Sequence, residues 1–169
     1  MGGREIGLAA DFRDLLRAFV AHDVRFLVVG AYALAIHGRP RATGDLDLWI
    51  DATPANARRT HVALSVFGAP VRDLDVVDLA APGVVFQIGL PPLRIDVLTA
   101  VSGVQFVDAW RRRVRAVFEG VPVWVIGAKD FVTNKRATGR LKDLADIEGI
   151  RRPTSAVKPS RRRKPSPRR

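Results

Sequence analysis

Apolar residues recur at helical spacing in the first stretch of the chain: Leu8, Phe12, Leu15, Leu16 and Phe19 share one face, predicting a helix over residues 8–21. The run Arg25 to Val29 has strand character and stops at Gly30, and the Ala- and Leu-rich segment Ala31 to His37 reads as a helix closed by Gly38. Asp45 to Asp51 alternates polar and apolar positions, the period of a half-buried strand. Thr53-Pro54 supplies a capping residue followed by proline at the first helical position, opening a helix to about Phe67. Residues 69–82 carry no clear period. Val84 to Ile88 and Leu93 to Leu98 read as strands, and Val104 to Arg112 as a short helix. Val114 to Phe118 and Val121 to Ile126 flank Glu119-Gly120, a two-residue hairpin signal. Ala128 to Ala137 and Leu141 to Ile150 read as helices broken near Gly139. The order predicts an α/β or α+β domain, a mixed β-sheet flanked by helices.

Composition bounds this picture. The 169 residues suit one domain, and the absence of cysteine excludes disulfides, thiolate metal sites and cysteine nucleophiles. No apolar run approaches the ~20 residues of a membrane span, and Met1 to Glu5 lacks the start of a signal peptide, so a cytoplasmic location is expected. The net charge of +11 is unevenly placed: residues 151–169 hold nine basic residues and no acid. With four prolines as well, that segment reads as a disordered basic tail that binds nucleic acid without selectivity, appended to a nearly neutral domain over residues 1–150.

The chemistry concentrates at Asp45-Leu46-Asp47. On a strand, two such carboxylates share a face while Leu46 and Leu48 point into the core. Adjacent carboxylates repel, and a divalent cation such as Mg²⁺ or Mn²⁺ relieves them. Asp96, set between Ile95 and Val97, adds a third acid on another strand. Upstream, Gly30 and Ala31 offer backbone for close approach of a phosphate, with Arg41 and Thr43 in the loop between. Other readings stay open: Arg41 and Thr43 as residues that shape the loop, His37 as a packing residue, and Asp143 with Arg140 as a surface ion pair at i, i+3 spacing. Trp110-Arg111-Arg112-Arg113 reads as a charged helix end, with RNA contact as the alternative.

The stretch from Gly30 through Ala33, His37, Gly38, Arg41 and Thr43 to Asp45 and Asp47 resembles the nucleotidyltransferase superfamily, the fold shared with DNA polymerase beta. It is most similar to small bacterial DUF6036- and AbiEii-like proteins, which also end in a segment like Asn134 to Asp146. The resemblance implies transfer of a nucleoside monophosphate from an NTP such as ATP to a hydroxyl of RNA, tRNA or protein, in a toxin–antitoxin setting. It implies Asp45, Asp47 and Asp96 as metal-holding catalytic acids, and Gly30, Ala31, Arg41, Thr43, Lys135 and Arg140 as nucleotide contacts, with Arg136 and Lys142 as further candidates. Ala31 departs from the family's glycine or serine, so a hydroxyl contact to phosphate is missing there. Two other classes of function fit the residues: a non-catalytic nucleotide-binding or interaction module, and a nucleic-acid binder driven by the tail.

Overall fold

The computed structural model describes residues 5–148 and residue 150. The basic segment 151–169, expected to be disordered, lies outside the described residues.

The elements follow the sequence pattern closely. They are β1 (Glu5–Ile6), α1 (Ala10–Ala21), β2 (Phe26–Val29), α2 (Gly30–Ile36), β3 (Asp45–Ile50), α3 (Pro54–Phe67) and α4 (Val76–Ala80). After these come β4 (Val85–Ile88), β5 (Arg94–Leu98), α5 (Phe106–Arg111), β6 (Val114–Phe118), β7 (Val121–Val125), α6 (Ala128–Thr138) and α7 (Leu141–Glu148). Thr53 caps α3 by accepting from the Asn56 amide at 3.3 Å. Two elements lie where the apolar pattern gave no signal. Helix α4 spans five residues and buries only Leu79, too little to establish a period. Strand β1 has two residues and gains its place from parallel pairing with β6.

One seven-stranded mixed sheet runs in the order β1-β6-β7-β2-β3-β5-β4. Strand β2 is antiparallel to β3, and β3 is parallel to β5. Leu46, Leu48, Ile50, Phe26, Val28 and Val97 fill one face with almost no exposure. Against this face lie Phe12, Leu15, Leu16 and Phe19 of α1 and Ala57, Ala63 and Leu64 of α3. Asn56 ties α3 to the sheet: its buried side chain accepts from the Arg25 amide and donates to the carbonyls of Arg25 and Asp51. The opposite face carries Asp45, Asp47 and Trp49, because strand residues alternate. At one end α5 covers it, where Phe106 meets Trp49 edge to face at 5.2 Å. The acids at the other end stay open to a pocket.

Candidate active site

The pocket forms because strand pairing brings distant residues into line. In the β3–β5 ladder Asp47 sits opposite Asp96, and Asp45 opposite Arg94. Val29, the last residue of β2, sits opposite Asp47. The chain then turns directly into α2 at Gly30. Gly30 has φ +67°, and a Cβ there would fall on the Asp47 carboxylate. Glycine is therefore required both by the backbone and by the acid beside it. At the start of β3, Gly44 passes against the Pro92 carbonyl, leaving no room for a side chain, and its own carbonyl accepts from the Arg94 amide at 2.8 Å. That contact fixes how β3 and β5 enter the site.

Gly30, Ala31, Arg41, Thr43, Asp45, Asp47, Asp96, Lys135 and Arg140 all line one cavity of about 380 Å³. These are the residues selected from the sequence, gathered from α2, the following loop, β3, β5, α6 and the α6–α7 turn. Lys142 joins them; Arg136 is exposed and does not. His37 is held elsewhere, its Nε2 donating to the Ile126 carbonyl at 2.7 Å. Thr43 acts on the protein itself: its hydroxyl accepts from the Asp45 amide at 3.0 Å and so sets the start of β3.

The floor is acidic. Burial pushes Asp47 up to about 6, and the charges of Asp96 and Asp45 push in the same direction. Burial also raises Asp96, against the opposing pull of Arg94. Arg94 spans the acids, 3.1 Å from Asp96 and 3.5 Å from Asp45. Asp96 Oδ1 is buried and takes the 3.1 Å approach of Arg94 Nε, at an angle too poor for a hydrogen bond. Among the described residues no three His, Cys, Asp or Glu side chains are already gathered as a cage for a metal. The donor set still suits a hard cation: carboxylate oxygens only, mutually repelling, one of them buried without a well-aligned hydrogen bond. Arg94 stands in the way and must yield a carboxylate for a cation to take it.

The rim is cationic, with Arg41, Arg140 and Lys142 exposed. Beneath them is a buried ion-pair network that sequence spacing could not show. The Asp143 carboxylate, fully buried, accepts from Lys135 at 3.0 Å, Thr138 at 2.7 Å and Arg140 at 2.7 Å. The expected surface pair of Arg140 with Asp143 is therefore half buried, because α7 folds its first turn back onto α6. Burial alone would raise the Asp143 pKa, but the bonds from Thr138, Lys135 and Arg140 outweigh it and hold it at about 2. Lys135 also lies 3.6 Å from Asp146, and Asp146 lies 3.3 Å from Arg41. The network thus links α6 and α7 to the loop that precedes β3. The sequence reading missed Arg94 and Thr138, and it took Asp143 only as a surface partner of Arg140. Arg94 had a local signal, standing two positions before Asp96 and so on the same strand face.

A mixed sheet that sets two carboxylates of one strand beside a third on its neighbour, under a glycine turn, defines a nucleotidyltransferase fold. Residues 12–151 match the family DUF6036, described as nucleotidyltransferases of unknown function. The chain belongs to that family. It is also similar in structure to a provisionally assigned nucleotidyltransferase from Thermotoga maritima, with a TM-score of 0.53 over 81% of this chain and 86% of that one. At 14% identity that likeness concerns the fold alone. No protein of curated function matches the chain in sequence. Among the described residues no helix is long and apolar enough to cross a membrane.

Proposed function

We propose that the chain transfers a nucleoside monophosphate from an NTP to a hydroxyl of a macromolecule, with a divalent cation at the acidic floor. The observation that carries this is the division of the pocket, with Asp45, Asp47 and Asp96 on the floor and Arg41, Arg140 and Lys142 around the rim. A metal–triphosphate has the complementary division: a cation, and three phosphates trailing from it. The volume of about 380 Å³ falls within the ~300–1,000 Å³ of small-ligand sites.

Asp45, Asp47 and Asp96 would hold Mg²⁺ or Mn²⁺, which when bound supplies charge neutralisation at the reacting phosphate. The chain's own residues do the rest. Arg41, Arg140 and Lys142 orient the β- and γ-phosphates, and the Gly30–Ala31 backbone forms the wall beside them. Helix α2 has only seven residues, so its dipole adds little and the phosphate charge falls to these cations. The acceptor oxygen attacks the α-phosphorus, the α–β phosphoanhydride bond breaks, and pyrophosphate leaves. The hydroxyl proton passes to Asp96, which burial holds above the usual carboxylate range, once Arg94 has turned from its Oδ1. Lys135, buried against Asp143, positions α6 and α7 rather than reaching the phosphates itself. RNA, tRNA included, and protein hydroxyls are the acceptor classes, with a toxin–antitoxin partner as the biological setting.

The test is transfer of label from each α-³²P-NTP, with Mg²⁺, into cellular RNA and into protein, for the parent and for Asp45→Ala/Asp47→Ala. Label in one fraction that vanishes in the variant supports the reading and identifies the acceptor class. No label from a folded protein that still binds NTP refutes transfer and leaves a nucleotide-binding interaction module.

A further inference from the structure

The run Trp110-Arg111-Arg112-Arg113 has no part in the pocket above, and it is not merely a charged helix end. Arg112 is spent on the fold, its guanidinium forked on the buried Asp130 carboxylate at 2.9 and 2.8 Å. Arg113 lies between two indoles, 4.1 Å from the ring centre of Trp110 and 4.3 Å from that of Trp124. Arg25 lies 5.2 Å from Trp110. Stacked guanidinium and indole planes form a stiff, cationic, flat-walled surface. Beside it opens a second cavity of about 450 Å³, walled by Trp110, Trp124, Pro122, Arg25 and Arg115. Among the described residues Asp23 is the one acid that lines it. Arg25 and Arg115 are exposed, and Trp124 is 36% exposed.

The register decides which way this surface faces. Val125 pairs with Val28, and Val28 with Leu48, so all three point into the core. Trp124, the neighbour of Val125, and its cross-strand partner Arg115 therefore lie on the opposite face, the one that carries Asp47 and Asp96. Aromatic rings run along that face from Trp49 to Phe106 at 5.2 Å, to Trp110 at 5.7 Å and to Trp124 at 6.4 Å.

We propose that this aromatic–arginine cleft holds a single-stranded segment of nucleic acid, with a base stacked on Trp124 and phosphates on Arg25 and Arg115. Every base offers a π-face, so stacking on an indole needs no particular sequence, and the arginines meet the backbone charge. An acidic peptide satisfies the arginines but makes no use of the indole face, so a nucleic acid matches more of the surface. The cleft shares a sheet face with the acids but sits at its α5 end, where β2 begins, so a strand that runs on past α5 along this face would bring its end to the acids. That role as acceptor holder rests on the transferase reading; binding itself does not.

The experiment uses the full chain and a fluorescein-labelled oligoribonucleotide of about a dozen nucleotides. It reads anisotropy together with intrinsic tryptophan fluorescence. The parent, Trp124→Ala, Arg115→Glu and Asp45→Asn/Asp47→Asn are compared, all retaining the same basic tail. The oligonucleotide should quench the parent's tryptophan emission. Trp124→Ala and Arg115→Glu should each weaken binding about ten-fold, the scale of one lost stack or phosphate contact. The acid-site variant should bind like the parent while losing transfer, which separates failure of this cleft from failure of the transferase reading. Arg115 is exposed, so its variant decides the matter if Trp124→Ala fails to fold. Binding by both cleft variants within about two-fold of the parent overturns the proposal, leaving the tail as the binder. Polyglutamate that competes equally per charge and quenches the same emission also overturns it, in favour of an acidic protein partner.

Discussion

Replacing Asp143 by Asn tests whether the α6–α7 network is a structural clamp. The carboxylate is fully buried and accepts three hydrogen bonds, two of them from cations. The amide keeps the shape but removes the charge and turns one acceptor into a donor facing cations. Holding a carboxyl at about 2 instead of 3.8 corresponds to about 2.5 kcal/mol of folding stability. Water at the nearby pocket mouth screens part of this, leaving about 2 kcal/mol. The sign follows from the direction of the shift. The folded pKa lies below the unfolded one, so the stabilisation is complete above the unfolded value and is lost as pH falls toward 2. By linkage, about 1 kcal/mol of it is gone at pH 3. Urea melts of the parent and Asp143→Asn at pH 7 and pH 3 measure this directly. The expected gap is about 2 kcal/mol at pH 7, equivalent to ~4–8 °C in Tm for a chain of this size, and about half that at pH 3. A gap below about 0.5 kcal/mol at pH 7, or one that does not narrow with acid, refutes the clamp.

Asp47 carries the opposite sign. Its folded pKa, about 6, is above the unfolded 3.8, so ionisation costs stability as pH rises through that interval. Asp47→Asn should therefore be more stable than the parent at pH 7.5 by about 2 kcal/mol while losing transfer, with most of the gain gone at pH 4; thermal melts at both values check it. Gly30→Ala should destabilise by about 2 kcal/mol, from the left-handed backbone and the clash with Asp47, and abolish NTP binding; calorimetry with NTP and Mg²⁺ reads both. Arg94→Met removes the cation spanning Asp45 and Asp96, so Mg²⁺ should raise its Tm by more than it raises the parent's. An equal rise in both proteins would show that Arg94 does not compete for the acids.

Much of the site was legible because its parts are local. Asp45 and Asp47 share a face by strand period alone, and Gly30 marks the end of a strand run. Arg94 shows where such reading stops. Two positions from Asp96 it is visibly on the same face, yet its pairing with Asp45 depends on β3 and β5 being parallel neighbours in one register. Asp143 shows the limit more sharply. Helical spacing joined it to Arg140, whereas its burial and its bonds to Lys135 and Thr138 come from the angle at which α7 returns on α6. Trp124 is a further case: it lies on β7 and Trp110 on α5, and only the packing of α5 over that sheet face puts both indoles around Arg113.

By itself, the sequence determined all of the described secondary structure but β1 and α4, the alternation that buries Leu46 and Leu48, and the identity of the acids, because these follow from periods of two and 3.6 and from side-chain chemistry. Tertiary structure alone decided which charges neutralise one another. Ion pairing depends on distance in space and on burial, and the sheet order places β3 beside β5 and folds α7 against α6 across separations that no local period records.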